Sequence, residues 1–424
     1  MSALVVAMLA LLAAVMLYLY SKASTPSAVQ HRTFSDPVHC TQILACNTFD
    51  GKRNLVSRMA SRAIPNQRLV RAFDIDNAFT SKDDTHATLF KKEAARKISL
   101  DSEEWAAVAM WSSELVANSI KNPSGEHADT YLDRLVQSVA LKIAIHVLFR
   151  VNPIRLDGGA ITQLAQSINE LWHLSKDSQG PIAARNLMKS RKLALERALI
   201  KLFPDHQLHF QPRDNPLNYI LPAYETLWRV VLFCFVEVNF RGSHGAATGE
   251  WRQILKQMLS ETSLGPFGTL ESPHDEHSVS ANDIINEALR LYTPTRRIHR
   301  MYHFQDSPEP EVLAADIEQL LRDINLWGEE PLIFKPSRWQ HLGEEAHKAF
   351  MPFGNKPFIC PAQKTFGPKI IGVLVAALVT KIDPDEWHLK YCKGDENEEK
   401  TLGDHELLQT DRKAYKAWKI YKKS

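Results

Sequence analysis

The sequence has few cysteines, almost no net charge and no repeated or low-complexity segment. Lys and Arg number 51 against 49 Asp and Glu, so the net charge of +2 is too small to indicate a nucleic-acid partner. The five cysteines are odd in number and widely spread, which excludes a disulfide scaffold and is typical of a reduced, cytosol-facing protein. No Gly-x-Gly-x-x-Gly nucleotide-binding motif occurs. What remains is a composition of 44% hydrophobic and 24% charged residues, which is typical of a globular protein with a large core.

Long hydrophobic runs are also scarce, with one exception at the start of the chain. Residues 3–20 carry no charge and no strongly polar side chain, and as a helix they would be about 27 Å long, roughly a membrane's hydrocarbon core. The basic residues Lys22, His31 and Arg32 follow this run, which favours an uncleaved anchor over a secretory signal peptide. We therefore expect a single transmembrane helix at 1–21, with the rest of the protein on the cytoplasmic side.

Beyond the anchor, the sequence predicts an irregular tether at 22–65 and one domain at 66–424. Apolar residues at three- and four-residue spacing predict helices at 84–98, 103–120, 131–149, 160–176, 183–203, 251–260 and 280–291. Strand signals are sparse and lie near 292–313 and 383–424. The fold class is therefore mainly α with small β-sheets.

The longest predicted helix, at 215–241, is apolar almost all round and should lie buried in the domain. Pro222 interrupts it, and since proline lacks an N–H, it should kink the helix and free a backbone carbonyl one turn earlier.

A loop rich in glycine and proline, residues 351–362, carries Cys360 towards a predicted apolar helix at 370–379. With Pro361 as the first helical residue, the sulfur would lie at a helix N-terminus, which favours the thiolate form. A thiolate there suits metal ligation or nucleophilic attack. A buried, inert cysteine is the structural alternative.

Two weaker signals precede the cysteine loop. Glu287 and Arg290 are three residues apart on one helix face and can form an ion pair. The segment 334–339 follows as a short aromatic and proline turn that contains Arg338. Separately, each would be interpreted as an ordinary surface feature.

In this order, the three segments resemble the signature of the cytochrome P450 superfamily of heme-thiolate monooxygenases, and the loop is most similar to that of fungal members. The resemblance implies the cytochrome P450 fold, with heme b as cofactor and Cys360 as the axial ligand of its iron. It also implies that Phe353 shields the thiolate and that Ala362 lets a helix pass close to the porphyrin. The residues implied as a buried structural triad are Glu287, Arg290 and Arg338.

Residues 222–226 resemble the oxygen-binding segment of the superfamily's central helix. The resemblance implies that Ala223 keeps the wall over the iron thin, and that Glu225 and Thr226 relay protons. The alternative is that Glu225 faces outward and that Thr226 is an ordinary helical residue.

The sequence departs from the family pattern at two places. Lys356 and Phe358 replace a glycine and a cation, so one heme-propionate partner is missing, and the candidate replacements are Lys356, Arg297, His299 and Arg300. A Trp-x-x-x-Arg motif is also absent, with His86 and Lys91 as candidates for its role or as part of a solvated face.

The expected function is a monooxygenase of fungal secondary metabolism, anchored in the endoplasmic reticulum membrane and acting on a lipophilic small molecule. NADPH would act indirectly through a separate reductase, with cytochrome b5 as an optional second donor. The surface expected to dock the reductase, or else to be merely solvated, comprises Lys91, Lys92, Arg96, Lys97, Lys356, Lys364 and Lys369. Two alternatives stay open: the same fold could catalyse an isomerisation, dehydration or cyclisation without dioxygen, or the protein could be a heme-free, membrane-tethered interaction protein.

Overall fold

The computed structural model describes residues 30–121, 130–176, 182–204, 211–241, 245, 247–264, 279–392, 402–403 and 406–423. The predicted anchor at 1–21 lies outside these residues and stays a prediction.

Most of the described chain is helical, in agreement with the predicted class. The helices are α1 (Pro37–Ala45), α2 (Arg58–Ala63), α3 (Gln67–Phe73), α4 (Asp84–Lys97), α5 (Ser102–Ser119), α6 (Leu132–Phe149), α7 (Gly158–Leu174), α8 (Ile182–Leu202), α9 (Leu217–Phe240), α10 (Ala247–Leu264), α11 (Ala281–Leu291), α12 (Ile317–Leu320), α13 (Ile324–Trp327), α14 (Glu344–Ala349) and α15 (Phe366–Lys381). Short 3-10 helices lie at Ile64–Asn66 and Pro336–His341.

The strands form three small sheets. They are β1 (Gln30–Phe34), β2 (Thr48–Phe49), β3 (Lys52–Arg53), β4 (Thr130–Tyr131), β5 (Arg297–Tyr302), β6 (Glu311–Asp316), β7 (Trp387–Tyr391) and β8 (Trp418–Lys422). The first sheet has the order β1-β6-β5, with β1 parallel to β6 and β5 antiparallel to it. The other two have the orders β2-β3 and β4-β8-β7, and their described pairings are antiparallel.

Capping residues account for several helix starts. Asp101 and Glu104 form a reciprocal capping box at the start of α5, and Ser280 and Asp283 form another at the start of α11. Each box satisfies two backbone donors that a helix start would otherwise leave unpaired. The predicted helices at 103–120 and 280–291 therefore begin close to the predicted positions.

Helix α9 runs through the core, as its composition predicts. It packs against α6, α10, α11 and α15, and its residues contribute to the main hydrophobic cluster. Among the described residues α9 is long and apolar enough to span a membrane, yet 78% of its most apolar stretch is buried inside the protein. We therefore interpret α9 as a core helix.

The carbonyl freed by Pro222 has a replacement donor. In an unbroken helix the N–H of residue 222 would bond to the carbonyl of Asn218, four residues earlier. Here the side-chain amide of Asn77 donates to that oxygen at 3.2 Å. The asparagine thus offsets the lost hydrogen bond and ties α9 to the loop between α3 and α4.

The segment predicted as an irregular tether at 22–65 differs in the structure. Residues 30–34 form β1, which pairs with β6 almost three hundred residues away, and α1 follows with Asp36 as its N-cap. The aspartate accepts a hydrogen bond from the backbone N–H of His39 at 3.0 Å. Residues 30–63 are therefore part of the folded domain. The local sequence does not predict β1, because its pairing partner β6 is distant in the sequence.

Candidate functional site

A large cavity of about 1170 Å³ lies between α9 and the cysteine loop. Cys360 lines it from the loop, and Ala223, Glu225 and Thr226 line it from α9. Its volume exceeds the range of about 300–1,000 Å³ that is usual for small-molecule sites. The cavity therefore has room for more than one small ligand.

Backbone hydrogen bonds fix the cysteine loop. The N–H of Cys360 donates to the carbonyl oxygen of Phe353 at 3.0 Å, and the N–H of Gly354 donates to that of Met351 at 3.0 Å. Gly354 has φ of +74°, in the left-handed region that other residues rarely adopt. The loop therefore folds back on itself at Gly354 and brings Phe353 beside Cys360.

Helix α15 approaches this loop at Gly367. A Cβ atom at that position would lie 2.7 Å from Cε1 of Phe353 and 2.9 Å from the carbonyl oxygen of Ala362. The Gly367 N–H also donates to that carbonyl at 2.7 Å. The close packing therefore requires glycine, and it holds Phe353 and Ala362 in place.

The predicted position of Cys360 at a helix N-terminus is wrong. Helix α15 begins at Phe366, not at Pro361, and turns occupy the intervening residues. Burial raises the pKa of the Cys360 thiol, while the backbone N–H of Ala362 and the charge of Lys91 act in the opposite direction. The dipole of α15 therefore does not stabilise a thiolate at Cys360.

Thr226 and Glu225 both line the cavity. The Thr226 hydroxyl donates to the carbonyl oxygen of Pro222 at 3.2 Å. Glu225 is only 3% exposed and forms an ion pair with Arg412 from the C-terminal segment. Burial raises the pKa of the Glu225 carboxyl, and the Arg412 guanidinium opposes this. The prediction that Glu225 faces inward agrees with the structure, whereas its arginine partner was not foreseen.

The three predicted triad residues form a buried charge network. Arg290 donates to the Glu287 carboxylate through Nε at 2.9 Å and Nη2 at 2.8 Å. Arg338 donates to Oε1 of the same carboxylate at 2.9 Å. Glu287 and Arg290 are fully buried. Burial opposes ionisation of Glu287, but Arg290, Arg338 and the backbone N–H of Lys335 together outweigh it, so the pKa of the Glu287 carboxyl is lowered. The network joins α11 to the 3-10 helix that precedes the cysteine loop.

Among the candidate replacements for the missing cation, Lys356 lies away from the cavity. Its side chain is exposed and does not contribute to the lining, so its prediction as a cofactor contact is wrong. Arg297, His299 and Arg300 do line the cavity. Arg300 is 5% exposed and lies over the ring of Phe358 at 5.6 Å.

Arg62 of α2 also contacts Phe358 and escaped the sequence analysis. Its guanidinium lies 4.6 Å from the centre of the ring, and it lines the same cavity. Burial lowers the pKa of Arg62 to about 9, and the nearby charge of Arg300 contributes. Two arginines therefore flank the aromatic ring at position 358, where the resemblance implies a cation.

The structure places the two candidates on α4, and the members of the predicted docking surface, in different surroundings. Lys91 lines the cavity, whereas His86 turns towards Asp76, 3.6 Å from its carboxylate. Lys369 is buried beneath the ring of Trp105, and Lys97 donates to a backbone carbonyl, so neither belongs to an exposed surface. The exposed members of the predicted surface are Lys92, Arg96, Lys356 and Lys364.

The side chains around the cavity fit a metal ion whose ligands come mostly from a cofactor and not from the protein. Within the described ranges, no group of three or more His, Cys, Asp and Glu side chains could hold a metal ion. Among the described residues, Cys360 is instead the cysteine that lines this large cavity. A heme needs only one or two protein ligands, because its macrocycle supplies the others. The size of the cavity and its single thiol therefore fit a heme.

The cavity wall also carries an arginine cluster that local sequence patterns do not predict. Arg68, Arg229, Arg296 and Arg412 come from four separate parts of the chain and line the cavity together. Arg229 on α9 lies one turn beyond Thr226, a position that could have been noticed. The other three have no local pattern that would link them.

Sequence comparison finds relatives among the cytochromes P450, although no protein-family profile matches the chain. The chain is 33% identical over 85 residues to a bifunctional cytochrome P450/NADPH–P450 reductase of Bacillus subtilis, and 32% identical over 109 residues to a cytokinin hydroxylase of Arabidopsis thaliana. These matches cover 18% and 24% of this chain. The chain spans only 8% and 21% of the length of these relatives.

Structural comparison extends the similarity to most of the chain. CYP175A1 from Thermus thermophilus matches with a TM-score of 0.57 and 14% identity over 86% of this chain and 84% of its own. A six-coordinated cytochrome P450, also from Thermus thermophilus, matches with a TM-score of 0.55 and 15% identity over 85% of this chain and 87% of its own. The chain therefore has the fold of the cytochromes P450, and part of it is similar in sequence to members of that superfamily.

Proposed function

We propose that this protein is a heme-thiolate monooxygenase that inserts one oxygen atom from dioxygen into a small organic molecule. The observation that carries the proposal is that Cys360 and Thr226, from distant parts of the chain, line one large cavity. The named relatives are cytochromes P450, which supports the same activity.

The residues that would hold a heme surround the cysteine loop. Cys360 would ligate the iron, Phe353 would cover the sulfur, and Arg62 and Arg300 would contact the propionates in place of the missing cation at 358. When bound, the heme would supply the activation of dioxygen.

Thr226 and Glu225 would handle the protons. The Thr226 hydroxyl already donates to Pro222, so its oxygen is oriented to accept a hydrogen bond from the cavity side. Burial raises the pKa of the Glu225 carboxyl, which favours its protonated form, and Arg412 holds the side chain in place.

Electrons would come from NADPH through a reductase, with cytochrome b5 as an optional second donor. A relative that carries a fused NADPH–P450 reductase supports this arrangement. The exposed cations Lys92, Lys356 and Lys364 would attract an acidic partner.

We further propose that the protein works at the endoplasmic reticulum membrane in fungal secondary metabolism. The apolar run at 3–20 supports membrane attachment, and the form of the cysteine loop supports a fungal relationship. Carbonate extraction of the full chain and of a variant lacking residues 2–21 tests the anchor. Only the full chain should stay with the membrane pellet, and equal retention of both would refute the anchor.

Isotope incorporation tests the activity. The protein would be reconstituted in membranes with a reductase, NADPH, ¹⁸O-labelled dioxygen and a panel of small organic molecules. Products that carry one ¹⁸O atom and require NADPH support the proposal. Product formation without NADPH or dioxygen would instead indicate an isomerisation, dehydration or cyclisation, and protein without heme would indicate the interaction protein.

A further inference from the structure

The cavity wall carries far more positive than negative charge. Among the described residues, ten Arg and Lys side chains line the cavity against four Asp and Glu side chains. The whole chain has 51 basic and 49 acidic residues, so the excess is concentrated in the cavity. The two propionates of a heme would offset only two of these charges, and a surplus of about four would remain.

Part of the surplus lies away from the cysteine loop, in a group that we name the arginine cluster: Arg68, Arg229, Arg296 and Arg412. Arg68 and Arg412 lie against the same indole ring, at 4.9 Å and 4.8 Å from the centre of Trp172. Arg229 and Arg296 both donate to the carbonyl oxygen of Thr410.

Glu225 joins the two halves of the cluster. It forms the ion pair with Arg412, and it lies four residues before Arg229 on the same face of α9. The charge of Arg412 lowers the pKa of Arg68 and of Arg229, in addition to the larger effect of burial. All four guanidinium groups therefore act on one region of the cavity.

Among the described residues, carboxylates form direct ion pairs with half of the cluster, although the charge of Glu225 also acts on Arg68 and Arg229. Arg412 pairs with Glu225, and Arg296 lies 3.3 Å from Glu318. In the part of the chain that the structure describes, neither Arg68 nor Arg229 has a carboxylate within ion-pair distance, although exposed Asp411 also lines the cavity.

The hydrogen bonds of these two arginines leave capacity for a ligand. Arg68 donates to the hydroxyl of Ser175 at 2.7 Å, and Arg229 donates to the carbonyls of Pro294 and Thr410 at 3.2 and 3.3 Å. Arg229 is 8% exposed, and its Nε atom has no hydrogen-bond partner among the described residues. A buried cation with a free donor and only neutral partners is costly, because desolvation is not repaid.

We propose that the substrate is an organic anion whose oxyanion head binds Arg229 and Arg68 and whose apolar body extends along the cavity. This inference rests on the proposed function and narrows its lipophilic substrate to one with a carboxylate or phosphate group. A guanidinium fork matches both heads with two parallel hydrogen bonds. The apolar body would lie against Ile143, Leu221 and Leu289, which also line the cavity.

The position of the cluster also bears on where the substrate reacts. Arg229 follows Thr226 by three residues, about 4.5 Å along the helix axis. A head bound at Arg229 would therefore hold the nearest part of the apolar body beside Thr226.

Isothermal titration calorimetry on the purified full chain tests the proposal with three probes of one chain length: dodecanoate, dodecyl phosphate and dodecan-1-ol. We expect at least one anion to bind about tenfold more tightly than the alcohol, as charged hydrogen bonds predict. The anion that binds more tightly identifies the head group. Equal affinity for all three probes, or no binding of either anion, would overturn the proposal.

Variants distinguish the effect of the arginine cluster on anion affinity from the effect of surface charge. Arg229→Gln and Arg68→Gln should each weaken anion binding about tenfold and leave the alcohol unaffected. Arg229 is buried and Arg68 is half-buried, and neither forms an ion pair with a described residue, so neither variant should lower the melting temperature, which differential scanning calorimetry checks. Arg197→Gln removes an exposed arginine on α8 and should change neither affinity. An equal loss in Arg197→Gln would contradict a specific site.

The heme content of the same samples distinguishes the two proposals. Anion binding through Arg229 in protein that takes up no heme would uphold the anion site and refute the monooxygenase. Heme-loaded protein that binds dodecan-1-ol as tightly as both anions would refute the anion site and uphold the monooxygenase.

Discussion

Phe358 shows how one residue can change the neighbours that a cofactor would meet. The resemblance to cytochromes P450 implies a cation at this position, where the chain has an aromatic ring. Two arginines from other parts of the chain, Arg62 and Arg300, lie against that ring. The sequence predicted Arg300 but not Arg62, because Arg62 lies in a segment that had no recognisable helix signal.

Removal of Arg62 should weaken heme retention. Arg62→Gln should release heme about tenfold faster to an excess of apomyoglobin, since a charged hydrogen bond to a propionate is lost. Lys356→Gln is the matched control, because Lys356 is exposed and does not line the cavity. Equal release rates from both variants would contradict the assignment.

The hydroxyl of Thr226 should control how efficiently NADPH is used. In Thr226→Ala, NADPH consumption should continue while the product formed per NADPH falls several-fold, because the oriented hydroxyl that accepts a hydrogen bond from the cavity side and takes part in proton relay is lost. Thr226→Ser keeps the hydroxyl and should behave like the wild type. A product yield in the alanine variant equal to that of the wild type would refute the role.

The motif residues were predictable from sequence because each motif is a local pattern. Cys360, Glu287 and Arg338 stand at recognisable spacings, and the structure brings the last two together as expected. Arg412 and Arg68 were not predictable, since their contacts come from tertiary packing against Trp172.

At the scale of elements, a buried carboxylate connects α11 to the cysteine-loop region. Arg338→Ala would leave part of the Glu287 charge unpaired and should lower the free energy of unfolding by about 3–5 kcal/mol. The control is Lys348→Ala, which breaks an exposed pair with Glu344 on α14 and should cost less than about 0.5 kcal/mol. Urea unfolding measures both, and similar losses would contradict the network's role.

Helix α1 carries a pH-dependent contact at His39. Its ring nitrogens lie 2.6 Å from Asp36 and 3.0 Å from Asp50, and the hydrogen bond to Asp36 raises the pKa of His39. A raised pKa means that the charged form stabilises the fold below about pH 6.5 and that this contribution is lost as the pH rises through the higher folded value.

His39→Gln should therefore destabilise the protein at pH 6 but hardly at pH 9. The difference should stay below about 1 kcal/mol, because the pair is partly exposed. Thermal unfolding at both pH values measures it. A larger loss at pH 9 than at pH 6 would contradict this assignment.

The boundaries of most helices could be predicted, whereas the elements near the start of the described chain could not. Periodicity is a local signal, so α4 to α7 begin and end near the predicted positions. Strand β1 depends on its pairing with β6, which local sequence does not report. The start of α15 was missed because its first turn, from Phe366, lacks a capping residue.

The whole molecule has a nearly neutral net charge, although basic side chains outnumber acidic ones on the cavity wall. The core helices α9 and α15 enclose the cavity, and its walls collect arginines from both halves of the chain. Composition alone suggested an ordinary globular protein, since a sum over the chain does not show where charges meet. The arrangement supports an enzyme that holds a polar cofactor and an anionic substrate in one space.

The ferrous carbonyl absorption spectrum tests most directly whether Cys360 ligates a heme. The account predicts bound heme with a red-shifted Soret band in the wild type and loss of that band in Cys360→Ser. Cys392→Ser, which changes a cysteine outside the cavity lining, should leave the band unchanged. Wild-type protein without bound heme, or a Cys360→Ser variant with the same red-shifted band, would contradict the central claim.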